Sequence, residues 1–246
     1  MTPIDPVDDP WEPLTPIEVA EIFRPLECPW WVAGDYAMEH VVGRAYRPHS
    51  DVDVLILRRD HPAVRDLLAD WDVWVADPPG TLRPWNRGEM LSDAVHDVWI
   101  RPASATPWKL QLMLDEADGE DWISRRDSRI RRPVASLTTA TAQHIPFMTP
   151  EVILFYKASA PRAKDTRDLE MVWPLLNPQQ RTWLIAAVST AYGTSSPWYS
   201  WLMAQIVYDV DFGHTDPMLI LANGALASLD ADHRIEFRYT ERTVLG

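Results

Sequence analysis

The chain is short of several things, and each shortage removes a class of protein. It has one cysteine, Cys28, in 246 residues. No intramolecular disulfide can form, and a reducing compartment, the cytoplasm, is expected. No apolar run approaches the roughly 18 residues that a membrane-spanning helix needs, so no membrane role is expected. The first residues, Met1-Thr2-Pro3-Ile4-Asp5, carry neither a basic stretch nor an apolar one, so no secretory signal is expected. Basic residues are outnumbered, with 23 Lys and Arg against 36 Asp and Glu and a net charge of −13. Such a balance repels phosphate backbones, so nucleic acid is not an expected partner, while a cationic small molecule is favoured. The sequence also has no Walker-type glycine loop, no G-x-S-x-G elbow and no histidine or cysteine spacing suited to zinc.

What is present fits a globular protein, with 46% apolar and 24% charged residues. The length allows one large domain or two small ones. Thirteen tryptophans run from Trp11 to Trp201 without a repeat, and most are expected in the core. Residues 1–13, rich in Pro and Asp, read as an irregular arm. Thr15-Pro16-Ile17-Glu18 reads as a helix start with Thr as N-cap, Pro at N1 and Glu closing a capping box. A short strand is expected over 30–33, a helix over 35–42 stopped by Gly43, and a strand over 51–59. A helix follows at 61–70 and a strand at 71–76. Runs 95–101 and 108–114 read as a hairpin. Residues 125–132 are locally basic and read as a solvated loop or edge strand; Arg125 or Arg126 reaching a polyphosphate is the functional alternative. From Pro150 the pattern turns helical, with starts near Pro150, Lys164, Pro178 and Pro197. The expected division is an α/β domain over 1–145 and a mainly helical domain with a C-terminal tail over 146–246, in which 234–239 looks strand-like.

The segment Arg47-Pro48-His49-Ser50-Asp51-Val52-Asp53, running into Val54-Leu55-Ile56-Leu57, carries the most chemistry. Two aspartates one residue apart on a strand send their carboxylates to one face. Like charges so close repel, and a divalent cation relieves them; hard oxygen ligands suit Mg²⁺. A glycine turn at Ala33-Gly34 stands upstream at the start of a helix. The second Asp-Val-Asp, at 209–211, has neither a glycine turn nor an apolar strand and reads as a loop.

An ordered set then emerges: Trp31-Val32-Ala33-Gly34-Asp35-Tyr36-Ala37, Gly43-Arg44, the Arg47–Asp53 segment, Pro150-Glu151, Lys157-Ala158 and Lys164-Asp165-x-x-Asp168. Over about residues 28–176 it resembles the aminoglycoside 2''-adenylyltransferase-like and lincosamide nucleotidyltransferase-like proteins. The resemblance implies an α+β fold, a nucleotidyltransferase-type mixed sheet with flanking helices followed by a helical domain. It implies Mg²⁺ and ATP, or another nucleoside triphosphate, with a nucleoside monophosphate passing to a hydroxyl of a small molecule. Carried over, Asp51 and Asp53 are the metal ligands. Gly34, Asp35, Arg44, Arg47 and Lys164 face the nucleotide. A third carboxylate completes the catalytic set, and Asp115 is the expected one.

Two departures matter. Asp35 stands where the family has a second Gly or a Ser, and its carboxylate would oppose a triphosphate unless it turns away or binds metal. Gln111 stands where the third carboxylate is expected; Asp115 shares its strand parity, and Asp97 on the other hairpin strand is a second candidate. A non-catalytic relative, or a toxin-like transferase with a macromolecular acceptor, are the alternative readings.

Overall fold

The computed structural model describes residues 8–139 and 145–205, together with the backbone of three strands at 219–221, 225–229 and 235–239. The Asp-Val-Asp at 209–211 lies outside the described residues. The chain divides into two compact units, one of 1–122 with 133–149 and the other of 123–132 with 150–246.

The first unit begins with helix α1 (Pro16–Phe23). Its capping box forms as expected. Thr15 Oγ1 accepts from the Glu18 N–H at 3.3 Å, and Glu18 Oε2 accepts from the Thr15 N–H at 2.7 Å. Strand β1 (Trp30–Val32) and helix α2 (Gly34–Val42) follow. Gly43 ends α2 in the left-handed region at φ 77°, its N–H returning to Glu39 O at 2.8 Å. Then come β2 (Asp53–Leu57), α3 (His61–Leu67), β3 (Asp72–Ala76), β4 (Leu82–Pro84), β5 (Asp97–Arg101) and β6 (Leu110–Asp118). Short strands β7 (Asp121–Ile123), β8 (Arg131–Pro133), β9 (Thr138–Thr139) and β10 (Phe147–Met148) complete this stretch.

The sheet runs β4-β3-β5-β6-β2-β1-β10-β9. It is mixed: β2 pairs with β6 in parallel and β1 with β10 in parallel, while β1–β2, β3–β4, β3–β5, β5–β6 and β9–β10 are antiparallel. Two adjacent rows of cross-strand partners show what the two faces do. Val54, Leu112, Val98 and Val75 stand side by side on β2, β6, β5 and β3, each with 0% exposure. The row beside it is Asp53, Gln111, Trp99 and Trp74, all half-buried. Alternate side chains of a strand point to opposite faces, so one face is apolar core and the other carries acids and aromatics.

Residues 10–14 are less irregular than their composition suggests. Trp11 bridges Trp108 in parallel, and the Glu12 and Leu14 N–H groups donate to Trp108 O and Lys109 O at 2.9 and 3.0 Å. Trp11 packs edge-on to Trp99 with ring centroids 5.1 Å apart. Arg101, 2% exposed, ties the arm down through Asp9 and the sheet through Asp72, with its guanidinium 4.2 Å from the Trp108 ring centroid.

In the second unit the described helices are α4 (Pro150–Lys157), α5 (Ala163–Val172), α6 (Pro178–Ala191) and α7 (Tyr199–Met203). Strands β11 (Leu219–Leu221), β12 (Ala225–Leu229) and β13 (Ile235–Tyr239) form an antiparallel sheet in the order β11-β12-β13. The strand-like 234–239 is therefore a strand. The basic 125–132 stretch packs on helices of this unit. Arg132 donates to the buried Glu151 at 2.8 Å and lies over the Trp183 ring, and Arg125 lies over Tyr156. The fold is α+β, a mixed sheet with helices and a helical part after it in the chain.

Candidate functional site

Asp53 opens β2, but Asp51 precedes the strand. The expected strand over 51–59 is thus trimmed at both ends, and period-2 alternation does not set where Asp51 points. Proximity still does: two residues apart, the Cα atoms are within about 7 Å. Both acids are half-buried, and Ser50 Oγ donates to Asp51 Oδ1 at 3.3 Å.

The glycine turn meets the second aspartate directly. The Ala33 N–H donates to Asp53 O at 2.8 Å, which seats the start of α2 beside the start of β2. Gly34 is at φ 57°. A β-carbon there would lie 2.0 Å from Asp53 Oδ2 and 2.9 Å from its Cγ. Glycine is required twice over, by the left-handed backbone and by the carboxylate that fills the space of a side chain. The missing β-carbon makes room for Asp53.

Helix α2 holds the turn before the aspartates. Asp35 and Glu39, four residues apart, share a helical face. Asp35, 7% exposed, is ion-paired with Arg47. Glu39 accepts from the Tyr46 N–H at 3.0 Å and lies 2.7 Å from His49 Nε2. His49 in turn stacks on Tyr36 with centroids 4.0 Å apart. Arg47 and His49 therefore anchor the loop that delivers Asp51 and Asp53, and Arg47 answers the charge of Asp35. Glu39 was missed from sequence; its place one turn beyond Asp35 was the available signal. Arg44 is exposed after Gly43.

On β6, Gln111 is the register partner of Asp53. Its Nε2 donates to Asp97 Oδ1 on β5 at 3.1 Å. Asp115 lies elsewhere. It is paired in register with Leu57, four residues beyond Gln111 and so about 13 Å along the strand. It is 0% exposed and accepts from Trp122 Nε1 at 2.7 Å. Trp122 bonds one oxygen of this buried acid, Oδ2, and among the described residues the acids on the strands and turn around Asp53 include Asp51 and, across Gln111, Asp97.

Lys164 is half-buried on α5 of the second unit. There Lys157 Nζ on α4 donates to Asp165 at 3.0 Å and Asp168 at 2.7 Å, joining the two helices. Burial pushes the Asp165 carboxyl up, but side-chain and backbone hydrogen bonds from Arg162, with Lys157, outweigh it and hold it well below the usual carboxylate range.

Among the described residues no group of three or more His, Cys, Asp or Glu side chains is gathered as a metal cage. The donor set at the aspartates is two carboxylates. That fits Mg²⁺, which keeps several waters and is commonly held by one or two carboxylates together with substrate phosphates.

Residues 17–82 match the family model described as aminoglycoside-2''-adenylyltransferase. The chain resembles this family. The matched stretch holds Gly34, Asp35, Arg44, Arg47, Asp51 and Asp53, and stops before Asp97 and Gln111. Similar solved structures include the lincosamide antibiotic adenylyltransferase LnuA bound to lincomycin, with 12% identity, 65% of this chain and 95% of that one covered, and a TM-score of 0.44. ANT(2'')-Ia in complex with adenylyl-2''-tobramycin has 14% identity, 71% and 94% coverage, and a TM-score of 0.45. An antigenic nucleotidyltransferase-like protein from Paracoccidioides brasiliensis has 18% identity, 80% and 94% coverage, and a TM-score of 0.41. No curated protein matches the chain in sequence. Among the described residues no helix is long and apolar enough to cross a membrane.

Proposed function

We propose that the protein is a nucleotidyltransferase. It moves a nucleoside monophosphate from a triphosphate, ATP first, onto a hydroxyl of a small cationic acceptor of the antibiotic kind, and it works in the cytoplasm. The observation that carries this reading is the Gly34–Asp53 approach, in which the start of α2 and the D-x-D are built as one unit. The family match over the same residues supports it.

Each residue has a task in that reaction. Asp51 and Asp53 hold the divalent cation, which when bound neutralises triphosphate charge as phosphoryl transfer requires. The first turn of α2 presents its N–H groups to the anion. Arg47 removes the repulsion that Asp35 alone would exert. Arg44 is a further cation for the phosphates. Gln111 favours one second reading, a binding protein that holds nucleotide without transferring it, because an amide is no general base.

Incubation with Mg²⁺, labelled ATP and a panel of aminoglycosides and lincosamides tests the proposal. Label passing to an acceptor with release of pyrophosphate, lost in Asp51→Asn and Asp53→Asn, is the expected result. Absence of MgATP binding in calorimetry would overturn it, and binding without transfer to any acceptor would favour the second reading.

A further inference from the structure

Gln111 leaves the reaction without a base at the position next to Asp53, and the geometry points to Asp97 as the group that takes the acceptor's proton. This rests on the reading of the chain as a nucleotidyltransferase and names a residue that neither the D-x-D nor the matched segment contains.

Three observations place it. The first is the face. Asp53 pairs with Gln111, and Asp97 pairs with Met113, the next residue of the same parity on β6. Cross-strand partners share a face, so Asp53, Gln111 and Asp97 lie together on the half-buried side of the sheet and away from the valine and leucine core. The second is the tether. Gln111 Nε2 donates to Asp97 Oδ1 at 3.1 Å, which holds the carboxylate leaning toward the column of Asp53. An amide in this place cannot accept a proton, but it can aim a neighbour that does. The third is access. Asp97 is half-buried, whereas Asp115 is 0% exposed and bonded to Trp122.

The spacing suits a base better than a ligand. Asp53 and Asp97 stand two strands apart, about 10 Å between strand axes, and one pair out of step along them. That is too wide for one cation to bind both carboxylates, in keeping with the absence of a three-residue cage among the described residues. It leaves room for a phosphorus centre beside Asp53 and an attacking hydroxyl beside Asp97. The acceptor oxygen forms its bond to the α-phosphorus, and the bond from that phosphorus to the β-bridging oxygen breaks. Pyrophosphate leaves with the electron pair, and the hydroxyl proton ends on the Asp97 carboxylate.

The test uses the full chain with MgATP and three acceptors, tobramycin, lincomycin and water, reading AMP transfer and pyrophosphate release together with MgATP affinity. In Asp97→Asn, which keeps an oxygen for Gln111, turnover should fall by about 100-fold or more, the usual range for a lost general base, with MgATP affinity within about twofold. The double variant Asp97→Asn/Gln111→Asp moves a carboxylate to the register partner of Asp53 and should recover turnover to within about tenfold of the wild type. A merely structural Asp97 would not be rescued at Gln111. Turnover in Asp97→Asn within threefold of the wild type overturns the inference and leaves the nucleotidyltransferase reading standing. A wild-type chain that holds MgATP and turns over none of the three acceptors also overturns the inference, since a base with no hydroxyl to act on has no part to play, and favours the binding-protein reading instead. A wild-type chain that does not bind MgATP removes both.

Discussion

Replacing Gly34 by alanine separates two costs that the structure stacks at one atom. The first is backbone: φ is 57°, and an L-residue in the left-handed region costs about 1–2 kcal/mol. The second is contact. The new β-carbon would stand 2.0 Å from Asp53 Oδ2, so the carboxylate must leave its place, and overpacking of this kind costs about 1–3 kcal/mol. Gly34→Ala should therefore lose about 2–5 kcal/mol of stability in urea unfolding followed by tryptophan fluorescence. The decisive measurement is the same change in an Asp53→Ala background. That background removes Oδ2 and Cγ and leaves a β-carbon 3.1 Å away, a contact that relaxes by a few tenths of an ångström. The cost should drop toward the backbone strain alone, giving a coupling of about 1–3 kcal/mol between the two positions. Equal costs in both backgrounds would refute the packing of the aspartate onto the turn. MgATP binding supplies an independent check, because Gly34→Ala evicts a proposed ligand without deleting it and should weaken binding nearly as much as Asp53→Asn does.

Three further outcomes follow from the ion pairs. Lys157→Met takes the shared cation from two carboxylates with 3% and 0% side-chain exposure, with Arg162 still on Asp165, and should cost about 3 kcal/mol in chemical denaturation; a loss under about 1 kcal/mol would show that water screens the pair. The Asp165 carboxyl is depressed in the folded chain, so the unfolded chain binds its proton first on acidification. Its stabilisation is full above the ordinary aspartate value and is lost as pH falls toward the depressed one. Unfolding free energy measured from about pH 5 to about pH 2 should decline less steeply in Asp165→Asn than in the wild type. Arg47→Met leaves Asp35 charged and buried and should weaken both stability and MgATP binding, and adding Asp35→Asn should restore part of each; no recovery would show that Arg47 acts on the phosphates and not on Asp35.

How much of this was legible in the sequence depends on the range of the interaction. Signals set within one turn or one strand were readable: the Thr15–Glu18 box, the Gly43 stop, the helix opening at Pro150 and the strand at 235–239. Each rests on local rules of backbone hydrogen bonding. The end of β2 was less readable, because an acid at a strand edge fits either state, and Asp51 falls outside. Residues 1–13 read as irregular from their Pro and Asp content, yet Glu12 within them, and Leu14 just after, bond outward through their N–H groups to Trp108 O and Lys109 O. Pairing over longer range was not readable at all. Nothing in the order of residues joins Asp35 to Arg47, twelve positions on, or Gln111 to Asp97, fourteen positions back.

That last pair shows why a position can be read from sequence while its chemistry cannot. The resemblance marks residue 111 as the place of the third carboxylate, and in the sheet Gln111 is the register partner of Asp53. The sequence then offered two replacements for the missing acid, one by strand parity and one by hairpin proximity. Parity favoured Asp115, but parity repeats every two residues without limit, and four residues of strand carry a side chain about 13 Å away. Pairing across strands covers about 4.8 Å per step and therefore decides what shares a site. An antiparallel neighbour two residues out of step remains within reach of an amide side chain, as the 3.1 Å bond to Asp97 shows. On the proposed reading, the carboxylate that residue 111 lacks is therefore supplied from the strand beside it, with Gln111 holding Asp97 in place.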